Sequence, residues 1–432
     1  MTKARLDGLQ LLLVGSVLFV VAGLIAARAN FAGMTDFKQF YYASRCLIEH
    51  HDPYKQSDLW SVYVAESRDV PADPGEAVWM QRMLSICPNF PTTFLVILPL
   101  ALLPWKLAEA VWMLLTAGSL ILASCATWDL GARFAPRLSG WMVFLLLVNS
   151  ELILSLGNTA GLVVGLCVIA AWCFLCERFV VGGIACMAVS LAMKPHDAGM
   201  IWLFFLLAGG VGRKRALQTL GATALLAIPA ALWITHVVPH WPQELNANVT
   251  TIMAHGGIDD PGPASGGNFG VNMIISLQSV ASRISDNPHF YNGAAYLICG
   301  LLLLPWAWKT LRSPWSPRMA CFALAAVAPL SMLPVYHRCY DAKLVLLTIP
   351  ACAMLWAERG RVGWLALVLT AATLVVTGDL LWIGVFQLTR YSGAAVTAEA
   401  YPAPLILLVL GVFYLWVYLK ESLPGGTSEG TA

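Results

Sequence analysis

The sequence is poor in charge. Only 12% of its 432 residues are Asp, Glu, Lys or Arg, against about 25% in soluble domains. With 59% hydrophobic residues and a mean hydropathy of +0.71, that shortage excludes an ordinary soluble fold and points to an all-α polytopic membrane protein. Dense basic clusters are absent and the net charge is +2, so nucleic acid is not an expected partner. Paired CxxC motifs are absent too. The eleven cysteines fall mostly inside apolar runs, as small apolar filler; a disulfide between Cys46 and Cys87 in the first outer loop is left open. Asp259-Asp260 is not a spaced DxD, and no zinc spacing exists, so neither metal nor cofactor is expected. No small-residue cleavage site follows the first apolar run, and Leu9–Ala27 reads as a retained span. The chain lacks a soluble domain or linker, and its one low-complexity segment is the tail Pro424–Ala432. It reads as a single integral-membrane domain over 1–432. It also lacks an inverted repeat, which counts against a secondary transporter.

What is present is a series of apolar runs. Twelve candidate spans cover 9–27, 107–128, 139–155, 159–177, 180–193, 197–211, 216–237, 291–309, 318–335, 342–357, 361–386 and 403–420. The Pro-interrupted run Phe90–Leu103 reads as a re-entrant or interfacial hairpin, because it is too short to cross. With the N-terminus inside, the compact basic loops, such as Arg213-Lys214-Arg215, all fall on the cytoplasmic side. The eight histidines then fall on the outer side or at its edge, and the long loops 28–106 and 238–290 on the outer side. That placement predicts a plasma (inner) membrane protein whose chemistry faces the periplasm or outside.

The first outer loop opens with Thr35-Asp36-Phe37-Lys38-Gln39-Phe40-Tyr41. Phe37, Phe40, Tyr41 and Leu47 make the stripe of an amphipathic helix. The expectation is an interfacial helix, aromatics down and polar face up, with Thr35 as N-cap and Asp36 in a first turn that favours the carboxylate. Asp36 is a better chemical candidate than Asp52, which sits in an Asp-Pro turn. Asn158, after Gly157, suits a turn or a hydrogen bond to a sugar or phosphate. Lys194, in Met193-Lys194-Pro195-His196-Asp197, breaks two short apolar runs at headgroup depth, where it suits snorkelling or a lipid phosphate. The loop Tyr336–Lys343 holds His337, Arg338, Tyr340, Asp341 and Lys343. Arg338 and Lys343 suit an anionic leaving group, and His337 suits polarising or protonating it. Tyr41, Tyr340 and Asn268 complete the substrate-binding candidates. Ile274, Ile275, Leu277, Ala281 and Ile284 predict a second surface helix.

Taken in order, Asp36-Phe37 with its aromatic helix, Asp52-Pro53-Tyr54, the run Phe90–Pro104, Gly157-Asn158, Lys194-Pro195, and His337 with Tyr340-Asp341 resemble glycosyltransferase family 87. This is a polyprenol-phosphate-sugar-dependent branch of the GT-C membrane enzymes. The resemblance implies a GT-C fold and inverting transfer, commonly of mannose, from a polyprenyl-phosphate-sugar donor; the expected partners are that donor, a lipid or glycan acceptor, and membrane lipids. It implies Asp36 as general base and His337 near the reacting phosphate. A lipid-borne donor needs no nucleotide-binding domain, and none is seen. A flippase for a polyprenyl-linked glycan, with Lys194 and Arg338 as phosphate clamps, is the alternative.

Overall fold

The computed structural model describes residues 2–29, 33–67, 70–262, 274–381 and 402–421. They form α1 (Lys3–Ala29), α2 (Thr35–Ile48), α3 (Gln56–Glu66), α4 (Pro74–Ser85), α5 (Pro91–Ala101), α6 (Trp105–Gly131), α7 (Pro136–Leu147), α8 (Glu151–Leu156), α9 (Thr159–Cys176) and α10 (Val180–Met193). There follow α11 (Pro195–Leu207), α12 (Gly210–Val237), α13 (Trp241–Met253), α14 (Leu277–Ala281), α15 (Pro288–Arg312), α16 (Pro317–Ser331), a 3-10 helix (Asp341–Thr348), α17 (Ile349–Ala357), α18 (Arg361–Val376) and α19 (Pro402–Lys420). Among the described residues the only β pairing is an isolated bridge between Ile274 and Arg338.

Seven helical segments among the described residues are long and apolar enough to cross a membrane: α1, α6, α7 continued by α8, α9, α12, α15 and α19. Four shorter apolar helices, α5, α10, α16 and α18, accompany them. Leu225 on α12, Leu301 on α15 and Leu13 on α1 are 75%, 63% and 63% exposed. Side chains so apolar stay uncovered without penalty where lipid is the solvent. Packing between spans uses small residues: a Cβ on Gly140 of α7 would lie 2.6 Å from the Cα of Gly8 on α1, so the two backbones touch.

Several expected elements differ. The 139–155 span is broken, because α7 ends at Leu147 and α8 restarts at Glu151. The 342–357 span is half 3-10 helix. Phe90–Leu103 is no hairpin but one 11-residue helix, α5. The surface helix expected around Ile274–Ile284 shrinks to the five residues of α14, while α13 forms where no helix was expected.

The largest correction concerns α2. It is not a surface helix: ten of its residues are buried, Lys38 and Ser44 among them. The enlarged first loop supplies α3, α4 and α5, which cover the face expected to meet water, and Met80, Leu84, Phe94 and Ile97 join Phe40, Tyr41 and Leu47 in one core cluster. The N-cap also differs. Met34, in a left-handed conformation (φ 60°), holds that position with no side-chain cap bond, and its N–H donates to the Ser155 carbonyl at 2.8 Å. Cys46 and Cys87 are free, buried thiols.

Candidate active site

Asp36 is set by its neighbours. Phe37 stacks face to face on Trp112, with centroids 4.9 Å apart, and Trp112 Nε1 donates to the Gly157 carbonyl at 2.8 Å. Gly157 ends α8 in the left-handed region (φ 66°), and a Cβ there would lie 2.8 Å from the Phe37 Cβ. Only glycine meets both demands. The turn delivers Asn158, whose Oδ1 caps α9 by accepting from the Ala160 N–H at 2.8 Å. Its Nδ2 donates to Asp36 Oδ2 at 2.5 Å. Burial pushes the Asp36 carboxyl above its ordinary value, while the Asn158 bond and then the charges of Arg338 and Lys194 pull it back.

Lys194 stands between α10 and α11. Thr92 of α5 donates to the Ala192 carbonyl, tying α5 to the end of α10. The Lys194 ammonium donates to Asp341 Oδ1 at 2.7 Å, lies 3.5 Å from Asp197 Oδ2 and sits 5.3 Å over the Tyr340 ring. Burial alone would lower its pKa, but the Asp197 and Asp341 carboxylates raise it, so it is a permanent cation. Asp197 lies in the first turn of α11, where the dipole favours negative charge.

His337 is fully buried. Its Nδ1 is 3.1 Å from the Val335 carbonyl and its Nε2 is 3.2 Å from Asp197 Oδ1. Burial works against its charge, but Asp197 and Asp341 outweigh it and hold the imidazole above its usual value. Arg338 donates to Asp259 Oδ1 at 2.7 Å, to the Ile258 carbonyl at 3.2 Å and to the Tyr336 hydroxyl. Its backbone N–H donates to Asp341 Oδ2 at 2.8 Å. Ile275 N–H donates to the His337 carbonyl at 2.9 Å, so both sides of the 238–290 loop are stitched to the 336–341 turn.

Asp36, Asn158, Lys194, His337, Arg338 and Tyr340 therefore meet in one electrostatic cluster. Lys343 does not. The 3-10 helix turns three residues per round, so a residue two beyond Asp341 faces away. Its ammonium donates to the Asn149 carbonyl at 2.5 Å and to Asp379 Oδ1 at 3.3 Å. The assignment of Lys343 to the leaving group is corrected on that ground: its ammonium faces Asn149 and Asp379 rather than the cluster of Lys194 and Arg338. Tyr41 also stands apart, with its hydroxyl on the Leu103 carbonyl at 2.8 Å and its ring edge-on to Trp105, inside the aromatic core. Asn268 lies outside the described residues. Sequence reasoning missed Asp197, Asp259 and Asp341 as members of the cluster. The signal for Asp197 was its place three residues after Lys194 across a helix start.

The sequence model of glycosyltransferase family 87 matches residues 90–333, more than half of the chain. The chain belongs to glycosyltransferase family 87. It is thus a glycosyltransferase, and its apolar helices make it a membrane-embedded one. No curated protein and no solved structure matches it. The match begins after α2 and ends just before His337. In this family 87 enzyme, Lys194 and Asn158 thus lie within the matched segment, while Asp36 and His337 are joined to it by the contacts above.

Proposed function

We propose that the chain moves a sugar, with mannose as the first candidate, from a polyprenyl-phosphate donor to a lipid or glycan acceptor at the outer membrane face, with inversion. One observation carries this reading: the Asp36 carboxylate, held by Asn158, lies in the field of the half-buried Lys194 and the buried Arg338. Asp36 takes the proton of the acceptor hydroxyl as its oxygen bonds to the anomeric carbon. The bond from that carbon to the donor phosphate breaks, and the phosphate leaves as an anion beside Lys194 and Arg338. Single displacement needs one base and inverts the centre. His337, buried against Asp197, helps orient the phosphate.

The test is incubation of membranes carrying the chain with polyprenyl-phosphate [14C]mannose. Label recovered in a new glycosidic bond is the expected result. Label that crosses the bilayer still bound to its carrier would favour a flippase instead.

The Asn158 bond stabilises the charged form of Asp36, so its loss raises the pKa further. A base is inactive when protonated. In Asn158→Ala the rate should therefore begin to fall at a higher pH than in the parent as the medium is acidified. A pH–rate profile whose acid limb stays put would separate Asn158 from the base.

A further inference from the structure

Four buried atoms at the centre of the cluster lack a well-directed hydrogen bond and have only one another and Lys194 as ion-pair neighbours: His196 Nε2, His337 Nε2 and both oxygens of Asp197. Buried polar groups held only by such long contacts have capacity left for a further ligand. They are not scattered. His337 Nε2 is 3.2 Å and His196 Nε2 is 3.8 Å from the same atom, Asp197 Oδ1. The ligand atoms of the three residues all lie within 4.8 Å of one another. Bonds of about 2.0–2.1 Å at the tetrahedral angle place two ligand atoms about 3.3 Å apart. The His337–Asp197 edge meets that separation, and the His196–Asp197 edge is somewhat wider, with the His196 side chain 33% exposed. The other oxygen, Asp197 Oδ2, faces Lys194, leaving Oδ1 to the two imidazoles.

Charge points the same way. Lys194 and Arg338 contact three carboxylates, Asp197, Asp259 and Asp341, and act through their field on a fourth, Asp36. Even with His337 charged, four carboxylates outnumber the cations, and the group is anionic before any phosphate arrives. A site meant to receive an anion in a low-dielectric interior needs more positive charge than that.

We propose that His196 Nε2, Asp197 Oδ1 and His337 Nε2 bind one first-row divalent cation, Zn2+ by ligand type. Two imidazoles and one carboxylate are the donors of open zinc sites, which keep a position free for an oxygen ligand. That position takes an anionic oxygen, and its role as a partner of the donor phosphate rests on the transfer reading above. Cation binding itself does not. Sequence spacing could not reveal the set, because His196 and Asp197 are adjacent while His337 arrives from a distant loop.

The experiment uses the full chain in detergent, stripped with chelator and dialysed against Zn2+ or Co2+ without donor. Expected are one ion per chain by elemental analysis and intense visible absorbance of the Co2+ form. His196→Asn and His337→Ala should each weaken binding by about tenfold or more, because loss of even an outer-shell partner costs about 10–100-fold. His196→Asn is the variant least able to disturb folding, since its ring is partly exposed. A parent chain with no stoichiometric ion, or undiminished binding when both histidines are replaced, overturns the site. A chain that holds the ion yet transfers no sugar sinks the transferase reading and leaves the site standing. A chain that holds no ion and transfers at full rate after chelation does the reverse.

Discussion

Asp36→Asn should lower sugar transfer by about 10²–10⁴-fold, the usual worth of a positioned base, with little change in apparent donor affinity. The substitution preserves shape and the contact with Asn158, so an effect of that size reports the lost proton acceptor. Burial has already raised the Asp36 pKa, which makes it a better base than an exposed aspartate near neutral pH. The measurement is initial rate at saturating donor, with the variant's melting temperature as a folding control. Near-normal turnover in Asp36→Asn, alongside abolished turnover in Lys194→Ala, would sink the base assignment and keep the phosphate site.

Lys343→Met is expected to cost about 3–5 kcal/mol of stability, the penalty for stripping one partner from a buried ion pair. Lys343 and Asp379 have side chains 4% and 0% exposed, so water cannot replace the missing ammonium. Asp379 also accepts from the Leu152 N–H at 2.9 Å, at the start of α8. Glu151, beside it, is buried with both oxygens unpartnered among the described residues. Without Lys343 the two carboxylates face each other uncompensated. Because α8 leads directly into Gly157 and Asn158, transfer should fall with stability. Thermal inactivation of the purified chain checks this, and Lys343→Met with Asp379→Asn should recover much of the loss, since asparagine keeps an acceptor for Leu152. A single variant as stable as the parent would show that the pair holds nothing together.

The sequence by itself determined the class of protein. Apolar runs too long and too poor in charge for water could only be helices in lipid, and the ordered motifs pointed to the family. It also marked the break at Lys194, since α10 and α11 meet there. Tertiary structure decided what each polar residue faces. The stripe on α2 was legible, but the helices that bury its other face come from a loop with no strong periodicity. Lys343 and Asp341 are near neighbours in sequence, yet a tight 3-10 turn sends them to different partners. Asp197, Asp259 and Asp341 became members of the cluster only once Lys194 and Arg338 stood beside them. Hydropathy is a property of neighbours along the chain, whereas charge pairing depends on distance through space, and that distance is set by packing.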